Sequence, residues 1–104
     1  MEKRIFARIP TNLRVEFFYG NELSNGIITN VSEKGMFTNT KMCFPVNSRF
    51  DILIPLKERV LQLHAIVCNV EKENDIYNGM GIEILYPRKE YLVFIDSITS
   101  IFKT

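Results

Sequence analysis

Two arginines four residues apart, Arg4 and Arg8, lie close to the start of the chain, in a segment that ends at Pro10. An arginine presents a planar fork of N–H donors, which fits phosphate oxygens or the O6/N7 edge of guanine through two hydrogen bonds. Two such forks at this spacing are suited to gripping a compact dianion. Terminal arginines are more often simply solvated, so the pair gains meaning only in combination with other residues.

A second group of residues, Asn30, Ser32 and Gly35, lies in the run Asn-Val-Ser-Glu-Lys-Gly. Asn30 and Ser32 are two residues apart, so on an extended backbone their side chains project to the same face and could hydrogen-bond one base edge. Gly35 fits a turn position that needs a positive φ, or a place where a ligand approaches the backbone closely. A plain β-turn favours the same residue types, so both interpretations stay open.

The usual parts of a catalytic or metal site are missing from the sequence. The only histidine, His64, lies within an apolar run, and on a regular strand roughly 13 Å separates it from Cys68. That distance is too long for a shared metal or for a nucleophile and its base. We interpret His64 as an ordinary strand residue with a hydrogen-bonding partner, and Cys43 and Cys68 as reduced, structural cysteines. No phosphate-binding glycine loop occurs, so we expect neither an enzyme nor a metal site.

Hydrophobic periodicity predicts the elements that position these residues. Alternating apolar residues and β-branched runs, separated by turn residues, indicate short antiparallel strands through the first 85 residues. We place these strands at Leu13–Tyr19, Leu23–Val31 with a turn or bulge at Asn25-Gly26, Met36–Thr38, Phe50–Leu56, Val60–Val70 and Ile82–Leu85.

The period changes after Pro87, a residue that suits a first helical turn. Apolar residues then recur at three- and four-residue spacing, which predicts an amphipathic helix with one stripe made of Tyr91, Leu92, Phe94, Ile95, Ile98, Ile101 and Phe102. We therefore expect a mainly β fold, a small six-stranded antiparallel β-barrel with a C-terminal α-helix. A basic arm would cover residues 1–10, the barrel 11–86 and the helix 87–103.

Composition and charge suit one globular domain. The chain has 104 residues, 46% apolar and 24% charged, which argues against several domains and against disorder. Its net charge is +1, so no overall field attracts a nucleic-acid polymer or an acidic membrane, although residues 1–14 hold an excess of three positive charges. Because no apolar run approaches the length of a membrane span and no secretion signal is evident, we expect a cytoplasmic protein.

The motifs in their order resemble the PilZ domain family. Both family signatures are complete, RxxxR at Arg4 to Arg8 and [DN]xSxxG at Asn30 to Gly35, and the late run Gly79-Met80-Gly81-Ile82-Glu83-Ile84 is similar to the last barrel strand of that family. The resemblance covers nearly the whole chain. It implies a six-stranded barrel with a C-terminal helix that acts as a receptor for the bacterial second messenger cyclic di-GMP, with no cofactor.

The resemblance also implies a role for each matching residue. Arg4 and Arg8 would clamp phosphate and guanine groups of cyclic di-GMP, while Asn30 and Ser32 would read a guanine edge. Gly35 would let the base or the backbone pass close to the turn. These roles agree with the charges and hydrogen-bonding groups that the ligand offers.

Lys3 precedes the first signature arginine, a mild departure from the family pattern that could add a third cation to the site. The leading hypothesis is a non-enzymatic receptor whose basic arm becomes ordered when cyclic di-GMP binds, which changes the surface offered to an unidentified effector protein. One alternative is a ligand-independent adaptor of the same fold that acts only by protein–protein contacts. Another is a small nucleic-acid-binding barrel, which the near-zero net charge disfavours.

Overall fold

The computed structural model describes residues 9–103, with side chains described as far as residue 98, so Lys3, Arg4 and Arg8 lie outside the described residues. Six strands and one helix follow in chain order: β1 (Ile9–Tyr19), β2 (Glu22–Val31), β3 (Gly35–Asn39), β4 (Arg49–Pro55), β5 (Val60–Glu73), β6 (Ile76–Ile84) and α1 (Lys89–Lys103). The predicted mainly β architecture is confirmed. Within the described residues, no helix is long and apolar enough to cross a membrane.

The six strands form one closed antiparallel barrel in the order β1-β2-β3-β6-β5-β4, and pairing of β1 with β4 closes it. Two-residue turns join the longest hairpins. Gly20 has a φ of 63° in the first of these turns, between β1 and β2, and Asn74 and Asp75 have φ values of 53° and 66° in the turn between β5 and β6. Positive φ at such positions matches the twist of a tight hairpin, and glycine, asparagine and aspartate tolerate it best.

Alternate residues of each strand point into the barrel, as the period of two requires. Phe17 is completely buried, and its ring meets those of Phe44 and Phe50 edge to face, with centroid distances of 6.0 and 5.6 Å. Phe44 comes from the loop between β3 and β4, and Tyr19 stacks on it at 4.4 Å. Edge-to-face and offset arrangements are the favoured geometries for aromatic pairs, so this cluster gives the core a defined packing.

The Asn25-Gly26 pair does not interrupt the second strand, so the turn or bulge predicted there is wrong. β2 runs straight through it, and Gly26 pairs with Val15 of β1. A Cβ atom at Gly26 would meet the ring of Phe17, so the missing side chain leaves room for that ring rather than for a turn. The register of β2 against β3 shifts further along, between Ile28 and Asn30.

Helix α1 buries one face against the barrel, where it contacts β1 and β5. Its described buried residues are Tyr91, Phe94, Ile95 and Ile98. Leu92, which the sequence pattern assigned to the same stripe, is 44% exposed because it lies one residue from Tyr91 on the turning helix surface. The helix also begins at Lys89, with the carbonyl of Arg88 accepting the first N–H groups, so Pro87 precedes the helix.

Replacing Phe17 by Ala is expected to lower the free energy of unfolding by about 3–5 kcal/mol, because it removes a buried ring and leaves a cavity. Phe18 offers a matched control, since it is the next residue of the same strand and is 44% exposed. Phe18→Ala should change stability by about 0.5 kcal/mol or less. Urea unfolding followed by circular dichroism measures both. Equal losses in the two variants would contradict the assigned barrel interior.

Candidate ligand-binding site

The turn between β2 and β3, residues 32–35 and here called the Ser32 turn, is closed by its own side chain. The N–H of Ser32 donates to the carbonyl oxygen of Gly35 at 2.8 Å. The Ser32 hydroxyl oxygen accepts the N–H groups of Lys34 and Gly35, both at 3.3 Å, and Ser32 is only 4% exposed. Serine commonly orders turns in this way. The hydroxyl that the sequence assigned to a ligand therefore also has a local structural role.

Two further hydrogen bonds attach the Ser32 turn to the rest of the fold. The N–H of Ile84, at the end of β6, donates to the carbonyl of Lys34 at 2.9 Å. The hydroxyl of Tyr91 in α1 donates to the carbonyl of Ser32 at 2.8 Å, and Tyr91 is completely buried. Buried hydrogen bonds are costly to leave unmade. The turn is thus held by the barrel and by the helix together.

Gly35 is required for packing rather than for a positive φ. It is the first residue of β3 and pairs with Glu83 of β6, and it is not among the residues with positive φ. A Cβ atom at this position would overlap the carbonyl oxygen of Ile82. The positive φ considered from the sequence is therefore wrong, while the close approach of backbone is real but comes from the protein's own strand.

Asn30, Ser32 and Gly35 all line one cleft of about 770 Å³ on the outside of the barrel, which we call the outer cleft. Strand pairing builds its wall. Asn30 of β2 lies opposite Phe37 of β3, Phe37 opposite Gly81 of β6, and Gly81 opposite Asn69 of β5. This row of four residues has a polar side chain at each end, Asn30 and Asn69. Between them lie the ring of Phe37 and Gly81, which has no side chain and leaves a gap. The structure therefore brings the three described signature residues together.

The charges of the outer cleft are unfavourable for an anion if only the described side chains are counted. Lys34 is the one cation among its described lining residues, against the carboxylates of Glu71 and Glu83. The described lining therefore has a net negative charge, which repels an anionic ligand group. A phosphate is stabilised by positive charge within a few ångströms. Additional cations are needed before this cleft suits a phosphorylated ligand.

Eight of the eleven lining residues were not among the predicted site residues, namely Lys34, Phe37, Cys68, Asn69, Glu71, Gly81, Ile82 and Glu83. Phe37 and Glu83 alternate with buried neighbours in strands, so their outward orientation was readable from the pattern. The residues of β5 were not, because the register against β6 shifts between Val67 and Asn69. A bulge of this kind changes which side chains face outward.

The two cysteines differ in environment, which corrects the interpretation of both as structural. Cys68 is exposed and lines the outer cleft, whereas Cys43 is partly buried, and both are free. Burial raises the pKa of the Cys43 thiol, whose sulfur contacts the Gly79 carbonyl at 3.6 Å. Cys43 therefore forms less thiolate at a given pH than an unburied cysteine would.

His64 has the partner that the sequence interpretation requires. Its Nδ1 lies 2.7 Å from Oδ1 of Asp51, the residue directly opposite on β4, and Gln62 donates to the other oxygen of the same carboxylate at 2.8 Å. Across the described residues, no group of three or more His, Cys, Asp or Glu side chains could hold a metal ion. The exposed cross-strand pair is fully accounted for by sheet pairing.

Ser32→Ala is expected to lower the free energy of unfolding by about 1–2 kcal/mol, since the N–H groups of Lys34 and Gly35 lose their acceptor. Ser24→Ala is the matched control, because Ser24 is a half-buried serine of β2, the strand that precedes the turn. Urea unfolding of both variants checks the expectation. If Ser32→Ala is as stable as Ser24→Ala, the serine does not hold the turn.

Structural comparison places the fold among solved barrels of this kind. The PilZ domain of YcgR from Escherichia coli, solved with c-di-GMP, gives a TM-score of 0.76 at 13% identity and covers 98% of this chain and 93% of that one. The PilZ domain of CeSA from a cellulose-synthesizing bacterium gives 0.65 at 19% identity, over 91% and 97%. At these identities the likeness establishes the fold.

The Bacillus subtilis inhibitor of motility, MotI/DgrA, gives a TM-score of 0.77 at 16% identity and covers 96% of this chain. This chain spans about half of that protein, 51% of its length. No curated protein matches the sequence. The model of the PilZ domain matches residues 2–97, nearly the whole sequence and both signature motifs. With the six-stranded barrel and its C-terminal helix, this match shows that the chain belongs to the PilZ domain family.

Proposed function

We propose that this protein binds cyclic di-GMP in the outer cleft and passes the signal to a partner protein, without chemical turnover. The observation that carries the proposal is the convergence of Asn30, Ser32 and Gly35 on a single cleft of about 770 Å³. The YcgR domain with the same fold was solved with this ligand, which supports the choice. Cyclic di-GMP offers guanine edges to the polar groups and phosphates to cations.

The register of β1 supports a contribution from the basic arm. Ile9 pairs with Val31 and Pro10 with Asn30, so the start of β1 lies beside the Asn30 end of the outer cleft. Arg8 directly precedes Ile9 in the sequence, one residue before the start of β1. Arg4 is five residues from Ile9, a span of at most about 18 Å. Both arginines are within reach of a ligand in the cleft.

The charge of the outer cleft suggests a role for the basic arm, residues 1–10. The described lining of the outer cleft has two carboxylates against Lys34 alone, and the ligand adds two negative phosphates. Three positive charges are therefore missing, of which Arg4 and Arg8 would supply two and Lys3 the third. Without ligand these cations repel one another. We therefore propose that ligand binding orders the arm across the cleft and so changes the surface that a partner meets.

The alternative is an adaptor that needs no ligand and acts only by protein–protein contacts. Both signature motifs are intact in the sequence, and the second one, which the structure describes in full, forms one side of a cleft, which favours the receptor. Calorimetric titration with cyclic di-GMP separates the two proposals, with GMP and cyclic GMP as ligand controls. Heat of binding with cyclic di-GMP, and none with GMP or cyclic GMP, would support the receptor. No heat with cyclic di-GMP would favour the adaptor. The ligand recovered afterwards should be unchanged.

Arg8→Ala is expected to weaken cyclic di-GMP binding by about 1.5–3 kcal/mol, and Asn30→Ala by about 0.5–1.5 kcal/mol, because a charge-assisted hydrogen bond is stronger than a neutral one. Arg14→Ala removes an arginine of β1 that does not line the outer cleft, so it serves as the charge control. Titration calorimetry measures all three. An Arg8→Ala variant that folds and binds as tightly as the parent would refute the proposed clamp.

Ordering of the arm is expected to slow trypsin cleavage after Lys3, Arg4 and Arg8 when cyclic di-GMP is present at saturation. Lys57, exposed in the loop between β4 and β5, serves as the internal control and should be cleaved at an unchanged rate. Binding should also weaken as added salt screens the exposed charges. Equal cleavage at the arm sites with and without ligand, measured by mass spectrometry, would exclude ordering even if binding were found.

A further inference from the structure

The β5 side of the outer cleft contains an amide whose orientation is fixed by the backbone. Asn69 follows the bulge of β5 and is exposed, and its Oδ1 accepts the N–H of Gly81 at 3.1 Å. A Cβ atom at Gly81 would overlap that oxygen, so the glycine makes the contact possible. Gly81 of the Gly79-Met80-Gly81 run therefore allows Asn69 to bond to the backbone, a role that the sequence alone did not reveal.

The hydrogen bond to Gly81 determines what Asn69 can offer a ligand. Only the oxygen of an amide can accept a backbone N–H, so the Nδ2 group must be the end that is turned away. No described residue accepts a hydrogen bond from Nδ2 of Asn69. Asn69 lines the outer cleft with its Oδ1 turned to Gly81, so its Nδ2 donors are at the end of the amide that is available to a ligand. Asn30 lies at the other end of the same row of residues and is separated from Asn69 by Phe37 and Gly81.

Distance assigns the two asparagines to different parts of a ligand. Three strand spacings of about 4.8 Å place Asn30 and Asn69 roughly 14 Å apart. That span exceeds one purine but suits a dinucleotide. Between them lies the half-buried ring of Phe37, a surface on which a base can stack. A ligand with two bases is therefore able to meet both ends of the row at once.

We propose that Asn69 determines specificity for the second guanine of the ligand, by donating from Nδ2 to its O6; this inference rests on the proposed cyclic di-GMP binding. Guanine presents two acceptors on that edge, whereas adenine presents one acceptor and the N6 donor. An asparagine that is free to rotate its amide could serve either base. Because the Gly81 N–H fixes the direction of Oδ1, Asn69 meets the N6 donor of adenine with the Nδ2 donors, and adenine is disfavoured.

Asn69→Asp tests the proposal on the full chain, because the carboxylate keeps the acceptor for Gly81 and loses the donors. Cyclic di-GMP should bind at least about tenfold more weakly. Asn39→Asp adds the same charge on β3 outside the outer cleft and should change affinity by less than about threefold. Melting temperatures confirm that both variants fold.

Comparison with a second ligand of equal charge separates recognition of the base from the effect of the added carboxylate. The mixed cyclic dinucleotide that contains one guanine and one adenine carries the same two phosphates as cyclic di-GMP. The parent should prefer cyclic di-GMP, and Asn69→Asp should lose most of that preference, since its carboxylate accepts the N6 donor of adenine. An unchanged preference, or affinity of Asn69→Asp for cyclic di-GMP within about threefold of the parent, would overturn the assignment.

The parent protein provides a measurement that needs no variant. Cys68 is next to Asn69 and exposed, so a ligand that reaches Asn69 should slow its alkylation by iodoacetamide, whereas the rate at Cys43 should stay unchanged. Undiminished labelling of Cys68 at saturating cyclic di-GMP would contradict the role of Asn69. A parent that gives no calorimetric heat with cyclic di-GMP would instead refute the proposed function itself.

Discussion

The site depends on one buried hydrogen bond, from the Tyr91 hydroxyl of α1 to the carbonyl of Ser32 at 2.8 Å. Together with the bond from Ile84 to Lys34, it attaches a four-residue turn to the helix and to the last strand. The Ser32 hydroxyl closes the same turn from within. The cost of ordering this backbone is therefore met when the barrel folds, and a ligand finds the turn already in place.

In the proposed receptor, a fixed cleft and a charged arm divide the recognition of the ligand between them. The cleft supplies hydrogen-bonding groups at defined positions but, in its described lining, more negative than positive charge. In the proposal the arm supplies the cations, and the described start of β1 lies beside Asn30, because Ile9 pairs with Val31. Under the proposal neither part suffices alone, so ligand binding would bring the cleft and the arm together and would make the protein a switch.

The sequence was sufficient to predict the architecture and to single out three residues that line one side of the outer cleft. Strand periodicity and the helical stripe follow directly from which residues are apolar, and the signature residues are adjacent in sequence. The opposite side, with Asn69 and Cys68, depends on how β5 pairs with β6 after a bulge, and periodicity does not reveal such shifts. The Asn25-Gly26 pair misled for a related reason, since its glycine accommodates the Phe17 ring from the neighbouring strand.

Amide hydrogen exchange, measured with and without saturating cyclic di-GMP, tests most directly whether the turn is formed before the ligand arrives. The informative amides are those of Ser32 and Ile84, whose hydrogen bonds of 2.8 and 2.9 Å hold the turn. The preformed site predicts slow exchange at both amides without ligand and little change with it, while protection appears in residues 2–8. Rapid exchange at Ser32 and Ile84 that becomes slow only with ligand would contradict it.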